Sequence, residues 1–212
     1  MPASGPEPPQ AGTNGGLRLP RLFTVGLPPV RIAGKRILLR PPERGDWHDW
    51  AALRAESREF LVPWEPSWPA DALSRPAFRR RLARYAVDWR TDRGYSFLLF
   101  RMEDGSLVGG IGLSNVRRGV AEAGSLGYWI GARFARRGYM TEALGLAVDF
   151  AFHSLKLHRV EAACLPTNVA SRGLLAKLGF AEEGYARKYL CIDGQWQDHV
   201  LFAMLREDWR RE

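Results

Sequence analysis

The stretch YWIGARFARRGYMTEALGLAVDFAF, residues 128–152, contains the features that decide the fold. It begins as a strand that ends at Ile130, and from Tyr139 onward its apolar residues have the spacing of a helix. Gly138 stands immediately before that helix. Because a helix N-terminus offers unpaired N–H groups and a positive dipole end, and glycine lets an anion approach the backbone, the segment predicts a pyrophosphate cradle. The alternative is a solvated basic turn before an ordinary helix.

Three arginines, Arg133, Arg136 and Arg137, add positive charge to this turn. The turn is not a Walker A loop, because no Gly-Lys-Ser/Thr follows it. A second glycine-containing run, residues 110–115, lacks the third glycine of a dinucleotide fingerprint. The predicted phosphate site is therefore of another kind, built from main-chain amides and arginine side chains.

Periodic patterns across the chain predict seven strands and four helices. The strands are predicted at residues 36–40, 96–102, 107–115, 121–130, 158–164, 182–192 and 196–205, and the helices at 46–57, 74–92, 139–154 and 168–178. Asp46 is the predicted cap of the first helix and Gly179 closes the last, while the proline-rich segment 59–69 is predicted as a structured loop. This order predicts an α/β (α+β) fold in which a central sheet of about seven strands carries helices on both faces.

The chain of 212 residues suits one domain with a tail. Residues 1–30 hold seven of the 14 prolines and five of the 22 glycines, so they are predicted to be a flexible tail and lead-in before a single domain over residues 31–212. Two cysteines, Cys164 and Cys191, exclude a disulfide framework and a CxxC zinc site, and they indicate a reducing cytoplasm. The sequence predicts neither a membrane-spanning helix nor a secretory signal.

A second motif lies downstream, where the run PTNVAS at residues 166–171 leads into RGLLAKLGF at residues 172–180. Together with residues 128–152, this motif resembles the GNAT superfamily of N-acetyltransferases, over roughly residues 37–206. Further details resemble its RimJ/RimL-like branch, which acetylates the N-terminal amines of ribosomal proteins. They are Leu39-Arg40-Pro41, Pro63-Trp64-Glu65-Pro66, residues 157–162 (LHRVEA) and residues 193–199 (DGQWQDH).

The resemblance implies acetyl-CoA as cosubstrate, a primary amine as acceptor and no metal. It also implies a mostly antiparallel sheet that splays between its fourth and fifth strands, with the pantetheine arm in the gap and strand amides facing the acetyl carbonyl. The implied cofactor-binding residues are Tyr128, Trp129, Ile130, Arg133, Arg136, Arg137, Gly138, Tyr139, Met140, Thr141, Asn168 and Ser171.

The sequence departs from the family pattern at several positions. The phosphate motif keeps Gly138 but has Ala135 and Met140 at its outer positions, so the side-chain phosphate contact is expected to shift to one of the three arginines. Leu175 stands where many members carry a tyrosine that protonates the leaving thiolate, and Ser171 is the residue that can replace it in this branch. Ser125 stands where the branch often carries glutamate, with Glu122 three residues earlier.

Three residues are candidates for the chemistry. Glu65 is expected to hold or deprotonate the incoming ammonium, the alternative being a carboxylate that caps a nearby amide. Ser171 is the candidate proton donor to the thiolate, and Glu122 is a weaker second carboxylate. Because an α-amine has a pKa of about 7.7–8.0, about a third of it is neutral at pH ~7.5, so a weak base suffices and direct attack without an acyl-enzyme is expected. His158 and His199 are expected to be structural, Cys164 a buried small residue, and Glu161 the partner of an arginine.

The net charge of +8 favours an anionic partner. The leading hypothesis is N-terminal acetylation of a protein, with a ribosomal protein as acceptor. The alternatives are a GNAT enzyme for a small amine, such as an aminoglycoside or polyamine, and a CoA- or ribosome-binding protein with little catalysis. The arginine row Arg79, Arg80, Arg81 and Arg84 is the candidate for a weak RNA or ribosome contact. A cytoplasmic monomer or homodimer is expected, without a membrane partner.

Overall fold

The computed structural model describes residues 28–210. In this part of the chain one mixed sheet has the strand order β1-β2-β3-β4-β5-β6-β8-β7, and every neighbouring pair is antiparallel except β5 and β6. The strands are β1 Ile32–Ala33, β2 Ile37–Arg40, β3 Tyr95–Arg101, β4 Leu107–Arg117, β5 Ala123–Ile130, β6 Arg159–Cys164, β7 Ala181–Ile192 and β8 Gln195–Leu205. The mostly antiparallel sheet is confirmed, and the two-residue β1, too short to show a period, is the strand that the sequence did not predict.

Five α-helices accompany the sheet in the described residues. They are α1 Trp47–Glu56, α2 Arg58–Leu61, α3 Arg75–Arg90, α4 Tyr139–Asp149 and α5 Val169–Lys177. The prediction of a loop over residues 59–69 was wrong at its start, because α2 and a 3-10 turn at Val62–Trp64 occupy the first part. Pro63 is compatible with this turn because it lies among the first residues of the turn. A backbone N–H at such a position has no hydrogen-bond acceptor within the turn, so the absence of an N–H in proline costs no hydrogen bond.

The helices lie on both faces of the sheet, as adjacent residues of β5 show. Successive side chains of a strand point to opposite faces. The ring of Trp129 lies 4.9 Å from the guanidinium of Arg54 in α1, whereas the hydroxyl of Tyr128 contacts Ser171 in α5. The core between these layers is apolar and continuous, and an aromatic cluster of Trp89, Phe97 and Phe150 closes one part of it.

The sheet opens between β5 and β6, the fourth and fifth strands of the sequence prediction. These two strands pair only where residues 123–126 face residues 159–162, so residues 127–130 have no β6 partner opposite them. The N–H of Gly131 donates to the carbonyl of Val108 at 2.9 Å. Since direction alternates along a strand, the N–H groups of Tyr128 and Ile130 point away from β4 and into the gap. The predicted splay is confirmed.

The sequence predicted one residue at the start of α1 and one at the end of α5. Gly179 follows α5 with a φ of +83°, as a closing glycine should. Asp46 stands at the predicted N-cap position of α1, but its side chain does not cap the helix, because its carboxylate accepts bonds from Arg40 Nη1 at 2.8 Å and Nη2 at 2.6 Å and from the N–H of Glu43 at 2.7 Å. Of the predicted tail, residues 1–27 lie outside the described residues.

Candidate active site

A large cavity lies beside the open end of β5 and is called the gap cavity. Its volume is about 910 Å³, and it runs between the start of α4 and the start of α5. The cofactor-binding residues predicted from the sequence that line it are Tyr128, Trp129, Ile130, Arg136, Gly138, Tyr139, Met140, Thr141, Asn168 and Ser171. The structure therefore brings together residues from positions that are about 40 apart in the chain.

The turn before α4 has the backbone of an anion-binding loop. Arg136 and Gly138 both have left-handed φ angles, of +63° and +81°, and Gly138 is the residue that precedes the first turn of α4. The first residues of α4, whose N–H groups have no acceptor within the helix, line the gap cavity, and the left-handed conformation is one that glycine adopts without strain. An anion at this position would meet main-chain amides and the positive end of the helix dipole.

The turn before α4 is held against the start of β2 by Arg36 and Glu142. The sequence patterns did not indicate a role for either residue. Glu142 in the first turn of α4 accepts bonds from the N–H of Arg36 at 2.7 Å and from its Nε at 3.3 Å. The guanidinium of Arg36 in turn donates to the carbonyl of Arg137 at 3.1 Å. These contacts of Arg36 and Glu142 hold the turn and the first turn of α4 together. The only sign of this pair in the sequence is an acidic residue in the first turn of a helix. That feature is too common to predict which residue the carboxylate contacts.

The three arginines of the turn take different places. Arg136 lines the gap cavity, whereas Arg133 and Arg137 do not. Arg133 forms an ion pair with Glu56 at 2.9 Å and lies over the ring of Phe134. Arg136 is therefore the arginine of this turn that borders the gap cavity.

At the opposite wall of the gap cavity, Asn168 begins α5. Its side-chain oxygen accepts the N–H of Ser171 at 3.0 Å, which is the contact of a helix N-cap. The hydroxyl of Ser171 lies 2.8 Å from the hydroxyl of Tyr128. Burial raises the pKa of Tyr128 to about 12, so the phenol is protonated at neutral pH. Burial also raises the pKa of the Cys164 thiol, and its predicted place as a buried residue is confirmed.

The smaller cavity, about 510 Å³, lies on the face of the sheet beneath α1 and α3 and is called the sheet-face cavity. Aromatic side chains form its walls: Trp50, Trp68, Phe78, Tyr85 and Trp129. The indole of Trp129 lies against Gly110, where a Cβ atom would overlap the indole nitrogen. The two cavities share Glu65, Tyr128 and Trp129 in their linings, so they meet at the open end of β5.

Glu65, at this junction, is held by a cation. Arg54 Nη1 donates to its Oε1 at 3.3 Å, Arg54 Nη2 donates to its Oε2, and the indole of Trp68 donates to Oε2 at 2.9 Å. The Arg54 side chain is only 8% exposed and lies within 5.6 Å of the rings of Trp50, Trp68 and Trp129. The alternative of Glu65 as an amide cap gives way to this ion pair, which leaves 21% of the carboxylate side chain exposed at the junction.

Comparison with known proteins decides the family. A family model described as "Acetyltransferase (GNAT) domain" matches residues 36–181. The chain belongs to the GNAT acetyltransferase family. A curated relative, the [Ribosomal protein uS5]-alanine N-acetyltransferase of Escherichia coli (strain K12), is 38% identical over 187 residues, which are 88% of this chain and 96% of that protein.

Solved structures of this GNAT branch match over most of the chain. The ribosomal-protein-S5-alanine acetyltransferase from Vibrio fischeri gives a TM-score of 0.78 at 29% identity and covers 86% of this chain and 100% of its own. Mycobacterium smegmatis RimJ in complex with CoA-disulfide gives 0.79 at 32% identity, over 83% of this chain and 85% of its own. The resemblance to the RimJ/RimL-like branch is confirmed.

Two sequence-predicted positions of this GNAT domain lie away from the junction. Glu122 precedes β5, six residues and roughly 20 Å from Tyr128 along an extended strand, and it lines neither cavity. It pairs with Arg118 at 3.1 Å, and this bond together with the N–H of Gly119 lowers the pKa of its carboxyl. Leu175, in the position of the family's tyrosine, is fully buried in the core.

The remaining polar residues serve the domain's structure or its surface. Glu161 pairs with Arg117 at 2.8 Å and with Arg159 at 2.9 Å, as expected for a sheet carboxylate. His199 is buried against the ring of Tyr189. Within the arginine row of α3, Arg80 pairs with Asp71, Arg81 lines the sheet-face cavity and Arg84 lies over the ring of Tyr85.

Proposed function

We propose that this acetyltransferase moves the acetyl group of acetyl-CoA to the N-terminal α-amine of a protein, by direct attack of the amine on the thioester. The observation that carries the proposal is the meeting of two cavities at Glu65, Tyr128 and Trp129. One cavity has a phosphate-type turn and the other has a carboxylate at its inner end. A donor and an acceptor that enter from opposite faces of β5 would therefore meet at its open end.

Two features of the gap cavity suit acetyl-CoA. The left-handed Gly138 and the first amides of α4 would hold the pyrophosphate, with Arg136 beside it. The inward N–H groups of Tyr128 and Ile130 would bond to the pantetheine arm and the acetyl oxygen. A donor aimed at the carbonyl oxygen stabilises the negative charge that grows there during attack.

The charges of the sheet-face cavity favour an acceptor with one positive group. Its lining contains one carboxylate, Glu65, and two guanidiniums, those of Arg54 and Arg81. A peptide N-terminus carries a single cation at its end and suits this arrangement, whereas a polyamine or aminoglycoside would bring several cations beside two arginines. Glu65 would hold the ammonium of the acceptor. Because an α-amine has a pKa of about 8, a substantial fraction is neutral near neutral pH and no strong base is needed.

Ser171 is proposed to protonate the leaving thiolate. It lines the gap cavity, and its hydroxyl is hydrogen-bonded to the phenol of Tyr128. The raised pKa of Tyr128 keeps its proton in place while Ser171 donates its own. Ser171 can then recover a proton from Tyr128, and Tyr128 recovers one from solvent, which takes up the proton that the amine loses, so the pair acts as a short relay.

A ribosomal protein is the proposed acceptor, in the cytoplasm. The Escherichia coli relative named for ribosomal protein uS5 matches nearly its whole length. In addition, α3 borders the sheet-face cavity and exposes Arg79 and Arg84 beside it, where an anionic ribosomal surface would be attracted. This second point predicts that binding to ribosomal particles weakens as the salt concentration rises.

The test is acetyl transfer from acetyl-CoA, detected by mass spectrometry on a mixed acceptor panel. The panel holds peptides with free Ala or Ser N-termini, the same peptides with blocked N-termini and internal lysine, and aminoglycosides. Modification confined to free N-termini is expected. Modification of lysine or of the small amines instead would overturn the proposed acceptor, and binding of acetyl-CoA without transfer to any acceptor would favour a binding protein.

A further inference from the structure

The floor of the sheet-face cavity consists of residues with very small side chains. Ser96 of β3, Gly112 of β4 and Gly127 of β5 pair directly across the sheet, so they form one row on the same face. Ser114 extends the floor on one side, and the ring of Trp129 bounds it on the other. All five residues line the cavity.

The fold itself does not require glycine in this row. Among the described residues, a Cβ atom on Gly127 would have no non-neighbouring heavy atom within 4 Å, and one on Gly112 would be no closer than 3.5 Å to its nearest such atom. Neither residue has a left-handed φ. Gly110 differs, because the indole of Trp129 occupies the place of its Cβ atom. Glycine within a strand weakens the strand, and it often marks a place where a ligand or another backbone approaches closely.

We infer that Gly127 and Gly112 set the depth of the acceptor cavity and determine which acceptors fit. The inference rests on the proposed function. With its amine at the junction beside Glu65, the acceptor peptide lies with its first two residues on this row, its main chain in contact with the backbone of β4 and β5. Side chains added to the floor and side chains on the peptide then compete for the same space. The space above Gly127 and Gly112 therefore limits the size of the side chain that the first residue of the acceptor can carry.

The competition can be tested by adding volume from either side. Gly127→Val fills the floor, and Gly127→Ala adds a single methyl group. The acceptors are peptides that differ only in their first residue, Gly, Ala or Val. The matched control is Gly184→Val in β7. In the described structure a Cβ atom on Gly184 also meets no non-neighbouring atom within 4 Å, and Gly184 lines neither cavity.

For Gly127→Val we expect kcat/KM with the Ala peptide to fall roughly tenfold or more relative to Gly184→Val, because a single methylene group in a fitted pocket changes discrimination by about that order and valine adds three carbon atoms. The fall should be smaller with the Gly peptide and larger with the Val peptide. Gly127→Ala should show the same order of acceptors with smaller losses. The dissociation constant of acetyl-CoA, which binds in the other cavity, should stay within about twofold of the wild type.

The outcomes separate the inference from the proposal beneath it. If the wild type acetylates none of the peptides, the proposed function fails and the inference fails with it. If the wild type acetylates them and both Gly127 variants match Gly184→Val for every peptide, only the inference is overturned. Should Gly127→Val not fold, as judged by circular dichroism and acetyl-CoA binding, Gly127→Ala and Gly112→Ala decide the question by the same order of acceptors.

Discussion

Tyr128 and Ser171 share a hydrogen bond of 2.8 Å between their hydroxyl oxygens, although 43 positions separate them in the chain. Tyr128 lies where β5 has lost its partner strand, and Ser171 lies in the first turn of α5. The bond thus joins the open edge of the sheet to the helix that closes the gap cavity. It also places two hydroxyl groups of different acidity beside the position proposed for the leaving thiolate.

Replacing Ser171 tests the proton donor. We expect Ser171→Ala to lower kcat by roughly 10²-fold, the usual contribution of a positioned general acid, while the KM for acetyl-CoA changes little. Steady-state kinetics with a peptide acceptor measures both quantities. Ser154→Ala, an exposed serine that lines neither cavity, is the matched control. A kcat equal to that of the control would exclude Ser171 as the donor.

The protonated state of Tyr128 can be observed by alkaline titration. Burial raises the pKa of Tyr128 to about 12, and burial likewise raises the pKa of Tyr95 to about 12. In near-ultraviolet absorbance, Tyr128→Phe should remove one tyrosinate step near pH 12, and adding Tyr95→Phe should remove a second. An unchanged late step in both variants would contradict these values.

The same shift has a consequence for stability. A tyrosine whose folded pKa lies above its unfolded value of about 10 contributes fully below pH ~10 and loses that contribution as the pH rises toward ~12. We therefore expect Tyr128→Phe to lose less stability than the wild type between these pH values. Urea unfolding at a series of pH values measures the difference. Equal losses in both proteins would mean that the phenol ionises freely in the folded state.

Much of the fold follows from periodicity, because its core strands and long helices each repeat over many residues. The Gly138 turn and the Asn168 cap are also local, so their sequence alone indicates their conformation. Ion pairs between separate secondary-structure elements are different, even where few residues lie between the partners in the chain. The sequence around Glu65 does not indicate that Glu65 forms an ion pair with Arg54. Likewise, the sequence around Asp46 does not indicate that Asp46 pairs with Arg40 instead of capping the helix. Such pairings depend on which surfaces the fold brings together.

The pair of Arg54 and Glu65 should matter more for stability than a surface ion pair. Removing one partner leaves a poorly solvated charge, so Arg54→Met is expected to lower the free energy of unfolding by about 2–4 kcal/mol. Glu65→Gln leaves the charge of the more buried Arg54 unpaired, so it should cost at least as much, and it should raise the KM for the peptide. Urea unfolding of both single variants and the double variant gives the coupling, expected to be about 1 kcal/mol or more. Additive losses would show that the two groups act independently.

Gly138 should be required both for stability and for acetyl-CoA, and the two requirements can be separated. Its φ of +81° disfavours any side chain, and a Cβ atom would lie 3.0 Å from the guanidinium Nη2 of Arg36. Gly138→Ala should therefore lower the free energy of unfolding by about 1–2 kcal/mol. It should also weaken acetyl-CoA binding, measured by calorimetry, because relief of the strain turns the first amides of α4 away from the cavity.

Two other glycines supply the controls for this prediction. Gly145→Ala, in the middle of α4, meets its nearest non-neighbouring atom at 3.8 Å and should stabilise the helix by up to about 1 kcal/mol. Gly179→Ala, at a φ of +83° beyond α5, should cost as much stability as Gly138→Ala. Because Gly179 lines neither cavity, its variant should bind acetyl-CoA as the wild type does. If Gly138→Ala also bound acetyl-CoA with unchanged affinity, the turn before α4 would not be the phosphate site.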